Sequence, residues 1–464
     1  MTVRRLLSVL LAVTVALTTT ATSPAQAAAP GSPLLAFLNR ISGQNIVSGQ
    51  HNRETNSDPT RYTRMAQAIT GQTPGLWGGD FLFSPADVAN RTTMVDEAIR
   101  QSRAGSIVAL TWHMCPPTIG STCGWDEAGI LGSLTNPQWT ELITNGTNLN
   151  NRWKARLDEV VPHLQRLEDA GVEALWRPIH EMNEGWSWWG GRPGSSGSRR
   201  LYEITYDYLV GVKGLTNLVW VWNVKDVAMG SIGQYFPRGE TVEVASLDVW
   251  VKMEPSASDY QAMLAVAGGR PIALAEVGRT PSPAILTSQP RWAWFMVWAE
   301  WLTDPAYNTN AGVQATYFHP RTLNRGEFTV GGPVPPAGNL ALGRPVLASS
   351  QESASLGPAN AVDGNGGTRW GSGWADQQWI YVDLGTNRRV SGVTLRWEAA
   401  YARGYQIQTS TDGTTWTTVH SDYAGNGGTD VIALDATARY VKMYAFQRAT
   451  AWGYSLWELE VRGV

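Results

Sequence analysis

Stretches typical of buried strands alternate with stretches typical of helices over residues 32–328, and this alternation constrains the fold more than any other feature. Most of the strand candidates are continuously apolar, as expected for parallel strands that are covered on both faces. Helical periodicity appears between them, for example over Asn151–Ala170, and a further helix is predicted at Arg291–Leu302. Eight strand–helix units in a domain of about 300 residues predict the α/β class, as a (β/α)8 TIM barrel. The predicted strands are Ile46–Gly49, Gly75–Phe81, Ile107–His113, Val172–Glu181, Leu218–Asn223, Ala245–Val251, Ile272–Gly278 and Val313–His319.

Polar side chains stand at the carboxyl ends of the predicted strands. In a (β/α)8 barrel these ends meet at one face of the molecule, and the chemistry of such barrels is found there. For Asp80, Asp248 and His319, a hydrogen bond that simply ends a strand is an equally good interpretation. The prediction of a site therefore depends on the convergence of the whole set, namely Asp80, His113, His180, Glu181, Asn223, Asp248, Glu276 and His319.

The segment 172–190 carries the strongest signal for catalysis. Its predicted strand ends at His180 and Glu181, and a tryptophan-rich loop follows. A carboxyl group beside tryptophan rings has its charged form disfavoured, which raises its pKa toward the range that a general acid needs. Tryptophan faces also suit the C–H faces of sugar rings. The alternative is that Glu181 pairs with Arg177 for structure alone.

Glu276 is the second candidate carboxylate. It follows the apolar run 271–275, and a carboxylate after a buried strand is costly unless it is paired or used. Glycoside hydrolysis needs two carboxyl groups, about 5–5.5 Å apart in enzymes that retain the anomeric configuration. The fourth and seventh strands of a small barrel face each other, so Glu181 and Glu276 can approach to that distance. Glu184 and Glu254 are alternatives, but both lie in predicted loops. No cofactor is expected for catalysis.

Composition narrows the class of partner. The net charge is −3, and no basic stripe is present, which argues against nucleic acid. Tryptophan is unusually frequent, with 23 residues against 8 phenylalanines. Because exposed tryptophan is costly without a ligand, many of these residues are expected to line sugar sites and the others to lie in the core. We expect a monomer with a polysaccharide partner.

Residues 1–28 have the pattern of a secretory signal peptide. Arg4 and Arg5 precede an apolar stretch from Leu6 to Leu17, and Ala25-Gln26-Ala27 provides a small-residue cleavage site. The apolar stretch is too short to span a membrane, and no other segment qualifies. The mature protein is therefore predicted to be secreted, extracellular and not associated with a membrane.

Cys115 and Cys123 are the two cysteines of the chain. Export favours a disulfide between them, which would close a short loop after the third predicted strand. A metal site is the alternative, although no His or Cys partners stand at the spacing of a zinc site.

The character of the sequence changes after the barrel. Residues 329–339 contain several proline and glycine residues and are predicted to be a linker that does not fix the angle between two domains. Residues 340–464 lack helical periodicity and contain short β-type runs, with a turn signal at Asp412-Gly413. An all-β sandwich fits this region. Its runs are Trp379–Leu384, Val393–Trp397, Tyr405–Thr409, Trp416–His420, Tyr440–Met443 and Leu456–Val461.

Several motifs spread over residues 32–325 resemble glycoside hydrolase family 26, whose best-known members are β-mannanases. They are Gly49–Asn52, Leu76–Asp80, Arg177–Asn183, Trp186–Gly190 and Ala275–Gly278. The resemblance implies that Glu181 is the acid/base and Glu276 the nucleophile. It also implies that His180, Arg177 and His113 surround the sugar at the cleavage point and that Trp186 stacks beneath it. Asp80, Trp189 and Trp250 are further candidate substrate-binding residues.

Trp250 marks a departure from that family. The family usually has a tyrosine on the sixth strand that hydrogen-bonds the nucleophile, and here Trp250 stands in its place. An indole N–H can donate a hydrogen bond but cannot accept one. Either Trp250 takes over the hydrogen bond to the nucleophile as a donor, or the substrate differs from that of the family.

Residues 340–464 resemble the discoidin, or factor 5/8 C-terminal, domain, a jelly-roll close to carbohydrate-binding module family 32. The carrying segments are Ala359–Asn365, Thr368–Trp370, Trp379–Gly385 and Leu456–Leu459. The resemblance implies a structural Ca²⁺ held at Asp363, Asn365, Thr368 and Glu458, and oxygen ligands on a tight loop suit such a cation. The alternative is that Asp363 only caps the turn. Candidate ligand-facing residues are Tyr401, Arg403, Arg448 and Trp452.

These observations favour a secreted, retaining endo-β-glycanase that hydrolyses β-1,4-mannan by double displacement, a mannan endo-1,4-β-mannosidase. Two alternatives keep the enzyme class and change the substrate: a β-1,3-xylanase or a mixed-linkage β-glucanase. A non-catalytic carbohydrate-binding protein belongs to another class, and such a protein would not need both carboxylates.

Overall fold

A computed structural model describes residues 31–53, 56–332 and 339–463 of the chain. The predicted signal peptide and most of the predicted linker lie outside these residues. Within the described ranges, no helix has both the length and the apolar character needed to cross a membrane.

Ten parallel strands form the sheet of the amino-terminal region. In chain order they are β1 (Ile46–Val47), β2 (Gly49–His51), β3 (Leu76–Asp80), β4 (Ile107–Thr111), β5 (Ala174–Arg177), β6 (Leu218–Lys225), β7 (Val244–Val249), β8 (Ile272–Val277), β9 (Trp292–Val297) and β10 (Thr322–Leu323). Strands β2 to β8 pair in sequence, and β9 pairs with both β8 and β2, so eight strands close a ring. Strands β1 and β10 pair beside β9 at the amino end of the first barrel strand. The predicted parallel barrel is confirmed.

Helices cover the barrel and close its amino-terminal end. The first helix, Pro33–Ile41, begins at Ser32, whose hydroxyl oxygen accepts the Leu35 N–H at 3.0 Å. Its apolar face packs against the amino-terminal ends of the barrel strands. The carboxyl-terminal end of the barrel therefore remains available for a site. The predicted helix at Asn151–Ala170 is two helices, because the chain breaks at Val160 before Pro162. The remaining helices are Arg61–Thr70, Pro85–Ala89, Arg91–Arg103, Asn136–Ile143, Asn148–Asp158, Val161–Asp169, Ser198–Tyr206, Ala257–Ala267, Pro283–Ser288 and Asn310–Tyr317.

The eighth barrel strand is not the one predicted from the sequence. Strand β9, Trp292–Val297, closes the barrel where a helix was predicted, and Val313–His319 falls largely on the helix Asn310–Tyr317. All six residues of β9 are buried, so they show no alternation that separates a strand from a buried helix. The helix Asn310–Tyr317 is capped by Thr309, whose hydroxyl oxygen accepts the Gly312 N–H at 3.1 Å.

The carboxyl-terminal region is an all-β domain with seven antiparallel strands. They are β11 (Val346–Ala348), β12 (Trp370–Gly371), β13 (Gln378–Trp397), β14 (Ala402–Ser410), β15 (Thr417–Asp422), β16 (Thr429–Arg448) and β17 (Ser455–Gly463). The two long strands, β13 and β16, pair with each other and shift register near Asp383 and Val390. Such irregularities bend a strand. The bent strands enclose a separate apolar core that includes Trp370, Val393 and Leu459. The predicted all-β class is confirmed.

Gly49 tests the barrel closure between β2 and β9. A Cβ atom at Gly49 would lie 2.4 Å from the Phe295 carbonyl oxygen and 3.3 Å from the Met296 Cα, so the two strands would have to move apart. We expect Gly49→Ala to lower the free energy of unfolding by about 1–3 kcal/mol, measured by urea unfolding. Gly211→Ala is the matched control, because nothing lies within 4 Å of its added Cβ. Equal stability of the two variants would contradict this account of closure.

Candidate active site

The carboxyl ends of the barrel strands surround an open cleft of about 720 Å³. Glu276 lies in β8, Glu181 follows β5, and His113 follows β4, so residues far apart in sequence meet in one place. Phenylalanine and tryptophan make up six of the fourteen lining residues. The lining residues are Arg53, Leu82, Phe83, His113, Trp125, Leu131, His180, Glu181, Trp186, Lys225, Trp250, Glu276, Trp298 and Trp301.

Glu181 and Glu276 face each other in this cleft. Carboxylate oxygens of Glu181, Asp248 and Glu276 all lie within 4.8 Å of one another. The residues Glu181 and Glu276 are 3% and 4% exposed, so both carboxyl groups are almost withdrawn from water. Three buried carboxylates so close together repel one another unless cations or protons compensate their charge.

Arg177 supplies the positive charge on one side of the cluster. Its guanidinium donates from Nη1 to Asp248 Oδ2 at 2.6 Å and from Nη2 to Glu276 and to Thr111 Oγ1, the last at 3.1 Å. Asp248 also accepts a hydrogen bond of 2.8 Å from Asn223 Nδ2. Asp248, which the sequence left open as a strand-end residue, is therefore the hydrogen-bond partner that holds Arg177 against Glu276.

Glu181 has a different environment. Burial, and then the negative charge of Glu276, raise the pKa of Glu181 to about 7. Two neighbours oppose this shift: the Lys225 ammonium lies 3.5 Å from Glu181 Oε2, and the Trp186 indole N–H donates to the same oxygen. Lys225 is also paired with Glu184 at 2.6 Å. A carboxyl group with this pKa can both donate and accept a proton near neutral pH.

The backbone of Glu181 is held in an unusual conformation. Its φ angle is 48°, in the left-handed region that non-glycine residues rarely adopt. The Glu181 N–H donates to Asn223 Oδ1 at 2.7 Å. Asn183 Nδ2 donates to the carbonyl oxygens of Lys225 and Val227 at 2.9 and 2.7 Å, and so ties the following turn to the end of β6. These bonds determine where the carboxyl group points, and residues held in sparsely populated conformations are common at functional sites.

A chain of three polar residues forms the wall next to Glu181. His180 Nε2 and His113 Nε2 are 3.1 Å apart, and His113 Nδ1 lies 2.6 Å from Asp80 Oδ2. Burial and the nearby charges of His113 and Arg177 lower the pKa of His180 well below its usual value, so its ring is neutral at pH 7. The neutral His180 ring therefore offers hydrogen-bonding groups beside Glu181 without adding another charge.

The predicted substrate-binding residues fall into two layers. His113, His180, Trp186 and Trp250 line the cleft, whereas Asp80, Arg177 and Trp189 lie behind that layer. Trp189 is fully buried, and its indole N–H donates to the His180 carbonyl oxygen at 2.8 Å. Burial prevents Trp189 from stacking on a sugar, so it supports His180 and Trp186 from behind.

Trp250 lies on the wall of the cleft among other indoles. Its ring meets Trp301 edge-on with centroids 5.3 Å apart, and its backbone N–H donates to Asp226 Oδ1 at 3.0 Å. The donor that reaches Glu276 is Arg177.

Sequence reasoning missed several residues of the cleft. Trp298 and Trp301 follow β9, and the assignment of that segment to a helix concealed them. Lys225 stands at the end of β6, two residues after Asn223, and lay just beyond the predicted strand. His319, which was predicted to end the eighth strand, instead lies beside the carboxyl-terminal domain and not in the cleft. Glu254 accepts the Ser282 N–H at 2.7 Å and does not line the cleft either.

The predicted disulfide between Cys115 and Cys123 is present, with the two Cα atoms 5.8 Å apart. The Cys123 N–H also donates to the Phe83 carbonyl oxygen at 3.1 Å. Trp125 follows this bridge and is 51% exposed, with its ring centroid 5.3 Å from that of Trp186. The bridge thus holds an exposed aromatic ring at the cleft.

The predicted calcium ligands in the carboxyl-terminal domain are brought together. Asp363 accepts the Asn365 N–H at 2.9 Å and the Thr368 hydroxyl at 2.7 Å. Glu458 is 1% exposed, and neither of its carboxylate oxygens has a hydrogen-bond partner among the described residues. Burial, with the neighbouring carboxylates of Glu460 and Asp363, raises the pKa of Glu458 to about 9.

A pair of exposed tryptophans lies at one tip of the carboxyl-terminal domain. Trp374 and Trp452 are 56% and 57% exposed and meet edge-on with centroids 4.9 Å apart. Arg448 holds the tip, because its Nε donates to Asp376 at 2.8 Å and its Nη1 donates to the Ala451 carbonyl oxygen at 3.0 Å. Tyr401 adjoins the tip through its carbonyl oxygen, which accepts the Ala449 N–H. Trp374 was not singled out from the sequence.

Two carboxyl groups in different electrostatic surroundings, set in an aromatic cleft at the carboxyl end of a parallel barrel, define the site of a glycoside hydrolase. The family model "Glycosyl hydrolase family 26" matches residues 23–327, and the model "F5/8 type C domain" matches residues 345–459. The chain belongs to glycosyl hydrolase family 26, which confirms the family predicted from the motifs, and carries a factor 5/8 type C domain after the barrel.

Similar proteins agree with this assignment. The chain is 32% identical over 301 residues to a mannan endo-1,4-beta-mannosidase of Thermothelomyces thermophilus, a match that covers 61% of this chain and 58% of that protein. It is 28% identical over 326 residues to a mannan endo-1,4-beta-mannosidase of Bacillus subtilis, with 65% and 87% of the two chains covered. The chain thus spans less than two thirds of the first of these relatives.

Two solved structures share the barrel. GH26A from a Muricauda species superposes with a TM-score of 0.60 and 34% identity, covering 64% of this chain and 98% of that one. The GH26-CBM35 beta-(1,4)-mannanase of Podospora anserina gives a TM-score of 0.54 and 28% identity, covering 64% and 66%.

Lys225 is expected to set the proton affinity of Glu181. Its ammonium stabilises the Glu181 carboxylate and so lowers the pKa of that carboxyl group, which burial and Glu276 raise to about 7. In Lys225→Met, the pKa of Glu181 should therefore rise further. Infrared difference spectra of the protonated carboxyl band across neutral pH, with Glu181→Gln to identify the band, measure this. Lys213→Met is the control, since Lys213 pairs with Asp158 outside the cleft. An unchanged or lower pKa in Lys225→Met would contradict the assignment.

Proposed function

We propose that this protein is a retaining endo-β-1,4-mannanase that acts by double displacement. The observation that carries the proposal is the separation of the two carboxylates, whose oxygens approach within 4.8 Å. Retaining glycosidases have carboxyl groups about 5–5.5 Å apart, whereas inverting enzymes need about 6.5–9.5 Å to admit a water between them. The cleft therefore suits direct attack by a carboxylate on the sugar.

The two carboxyl groups take different parts in the reaction. Glu276, held and charge-paired by Arg177, attacks the anomeric carbon as the glycosidic C–O bond breaks. Glu181 donates its proton to the departing oxygen, which its raised pKa allows. In the second half, Glu181 as carboxylate takes a proton from water, the resulting hydroxide equivalent attacks the same carbon, and Glu276 is released. The configuration at that carbon is inverted twice and so is retained.

The choice of β-mannan over other β-glycans rests on the relatives that are named mannan endo-1,4-beta-mannosidases. A β-1,3-xylan or a mixed-linkage β-glucan remains the alternative substrate. Endo action is supported by two groups of aromatic rings that line the open cleft together with the carboxylates, Phe83 with Trp125 and Trp250 with Trp301. Such a cleft can hold sugars on either side of the cleaved bond.

Secretion is part of the proposal. It is supported by the signal-like pattern of residues 1–28 and by the disulfide between Cys115 and Cys123, since disulfides persist in oxidising compartments.

The carboxyl-terminal domain is proposed to hold the enzyme on polysaccharide. The exposed rings of Trp374 and Trp452 are its support, because large aromatic side chains left in water commonly mark a binding surface. Sugar rings present C–H faces that pack on indoles, and Arg448 and Asp376 add polar groups beside them. Binding of this kind raises the local concentration of substrate without changing the chemistry.

A structural Ca²⁺ is proposed at Asp363, Asn365, Thr368 and Glu458. The unpaired, buried oxygens of Glu458 support it, because a buried carboxylate without a partner is costly and a cation would satisfy it. All four residues offer oxygen atoms, as a hard cation requires: three lie on a short glycine-rich loop, and Glu458 lies on β17. When bound, the ion would supply positive charge that orders this loop.

The catalytic assignment predicts a specific pattern of lost activity. Glu276→Ala should lose turnover on every substrate, because no covalent intermediate can form. Glu181→Ala should lose about 10²–10⁴-fold on mannan but much less on aryl mannosides with good leaving groups, which need no proton. Glu254→Gln, outside the cleft, is the matched control and should keep full activity. Proton NMR of fresh product should show the β-anomer first.

Four outcomes would contradict this scheme. First release of the α-anomer would exclude a nucleophilic carboxylate. Equal loss in Glu181→Ala on both kinds of substrate would make Glu181 structural. Full activity of Glu276→Ala would remove the proposed chemistry altogether, and an absence of hydrolysis in the unaltered protein would favour a binding protein.

The binding surface of the carboxyl-terminal domain can be tested separately. Trp452→Ala and Trp374→Ala should weaken retention on insoluble mannan about tenfold in sedimentation assays, because each removes an exposed aromatic contact. Turnover of soluble oligosaccharides should stay unchanged, since neither residue lies in the cleft. Tyr423→Ala is the control, an aromatic ring that is 69% exposed elsewhere on the same domain. Equal retention of all three variants would place the binding surface elsewhere.

A further inference from the structure

The barrel and the carboxyl-terminal domain share a buried ion-pair cluster. Glu327, at the end of the barrel region, accepts a hydrogen bond of 2.7 Å from Arg396 Nη2 on β13, and Arg462 Nη2 on β17 lies 3.5 Å from the same oxygen. The side chains of Glu327 and Arg396 are 1% and 4% exposed. Glu460 completes the cluster, 2.7 Å from Arg396 Nε. The sequence predicted a linker that leaves the angle between the domains free, and this cluster opposes that freedom.

Glu327 is firmly attached to the barrel. Its second oxygen accepts the Asn324 N–H at 2.7 Å, and Asn324 Oδ1 accepts the Ser48 hydroxyl between β1 and β2 at 2.8 Å. The Arg396 guanidinium also lies 4.9 Å from the ring centroid of Phe318, at the end of the last barrel helix. Arg396 of the carboxyl-terminal domain therefore contacts two barrel residues, Glu327 and Phe318, and the barrel holds Glu327 in position.

The charge balance makes the contact specific. Within the cluster two arginines face two glutamates, and only Glu327 comes from the barrel. Without Glu327, two buried guanidiniums would share one carboxylate, which low-dielectric surroundings penalise strongly. The carboxyl-terminal domain is therefore expected to dock in the one orientation that brings Arg396 and Arg462 to Glu327.

The proposed cation loop borders the same junction. A small cavity of about 20 Å³ lies between the domains, lined by Phe318 and His319 of the barrel and by Gly364, Glu458 and Glu460 of the other domain. Glu458, whose carboxylate oxygens accept no hydrogen bond from the part of the chain that the structure describes, thus lies at the domain boundary. Gly366 of the loop packs so closely on Phe318 that an added Cβ would lie 2.6 Å from the ring. The conformation of the loop 363–368 and the docking of the two domains therefore depend on the same contacts, those of the loop and Glu458 with Phe318 and His319.

We propose that Glu327 and the Asp363–Thr368 loop form one interdomain clasp, in which a divalent cation held by Asp363 and Glu458 strengthens the docking of the carboxyl-terminal domain on the barrel. The cation part rests on the calcium site of the proposed function, and the ion-pair part does not. The clasp makes the two domains one body, so the Trp374–Trp452 tip has a fixed position relative to the catalytic cleft.

The ion-pair part is tested with Glu327→Gln in the full chain. Small-angle X-ray scattering should show a larger radius of gyration than in the unaltered protein, and calorimetry should resolve two transitions in place of one. The melting temperature of the first transition should fall by about 5 °C or more. Arg389→Gln is the matched control, because it removes an ion pair with Asp435 that is exposed on the same domain. An unchanged radius and a single transition in Glu327→Gln would overturn the clasp.

A second variant distinguishes loss of the interdomain contact from misfolding of the barrel in Glu327→Gln. Arg396→Gln breaks the same contact from the other domain and should reproduce the larger radius, while turnover of soluble oligosaccharides stays near that of Arg389→Gln. A radius that grows with only one of the two variants would also overturn the proposal, because the contact needs both partners.

The cation part is tested by calorimetric titration of chelator-treated protein with CaCl₂, alongside Glu458→Gln. We expect binding to the unaltered chain, none to Glu458→Gln, and, in the unaltered chain, a smaller radius and a higher melting temperature with Ca²⁺ than after chelation. Absence of binding would overturn the calcium site itself. Binding that leaves both the radius and the transitions unchanged would overturn the coupling, and the calcium site of the proposed function would stand.

Discussion

The buried guanidinium of Arg177 is the interaction on which the active-site cleft depends. It lies between Asp248 and Glu276, so two carboxylates on neighbouring strands can stay buried side by side. Removing one partner of such a buried pair costs about 3–5 kcal/mol, because an uncompensated charge is left behind. The same bonds fix Glu276 in place, and Asn223 extends the network to the backbone of Glu181. Stability of the barrel and geometry of the site therefore come from one set of contacts.

The two candidate catalytic groups differ because their neighbours differ. Glu276 accepts a hydrogen bond from the Arg177 guanidinium. Glu181 instead accepts one from the Trp186 indole and has the Lys225 ammonium 3.5 Å from the same oxygen. Burial and the charge of Glu276 raise the pKa of Glu181 to about 7, and each group thus acquires the property that its proposed step requires. The neighbouring His180, whose pKa burial lowers well below its usual value, stays uncharged and does not disturb this balance. The different roles proposed for two chemically equal side chains thus rest on their surroundings.

At the junction between the second domain and the barrel, two buried arginines need carboxylates to compensate their charge. Arg396 and Arg462 need both Glu460 of their own domain and Glu327 of the barrel. The linker composition by itself is that of a flexible tether. A tether and a buried ion pair are compatible, because the tether only brings the domains together and the ion pair selects one arrangement.

The sequence by itself determined the parallel barrel, six of its eight strands with the first residue of a seventh, the place of Glu181 and Glu276 at strand ends, the disulfide and the all-β second domain, because each leaves a local signal: an apolar run, a strand-end acid, two cysteines, or the family motifs. It misassigned Trp292–Val297, since six buried residues carry no period, and with that strand it missed Trp298 and Trp301. Only the tertiary structure decided that Asp248 holds Arg177, that Trp189 lies behind the cleft, that Lys225 approaches Glu181 and that Glu327 meets Arg396. These are contacts between segments from 9 to 71 residues apart, and the physical reason is that charge pairing and burial depend on distance in space, which no local pattern records.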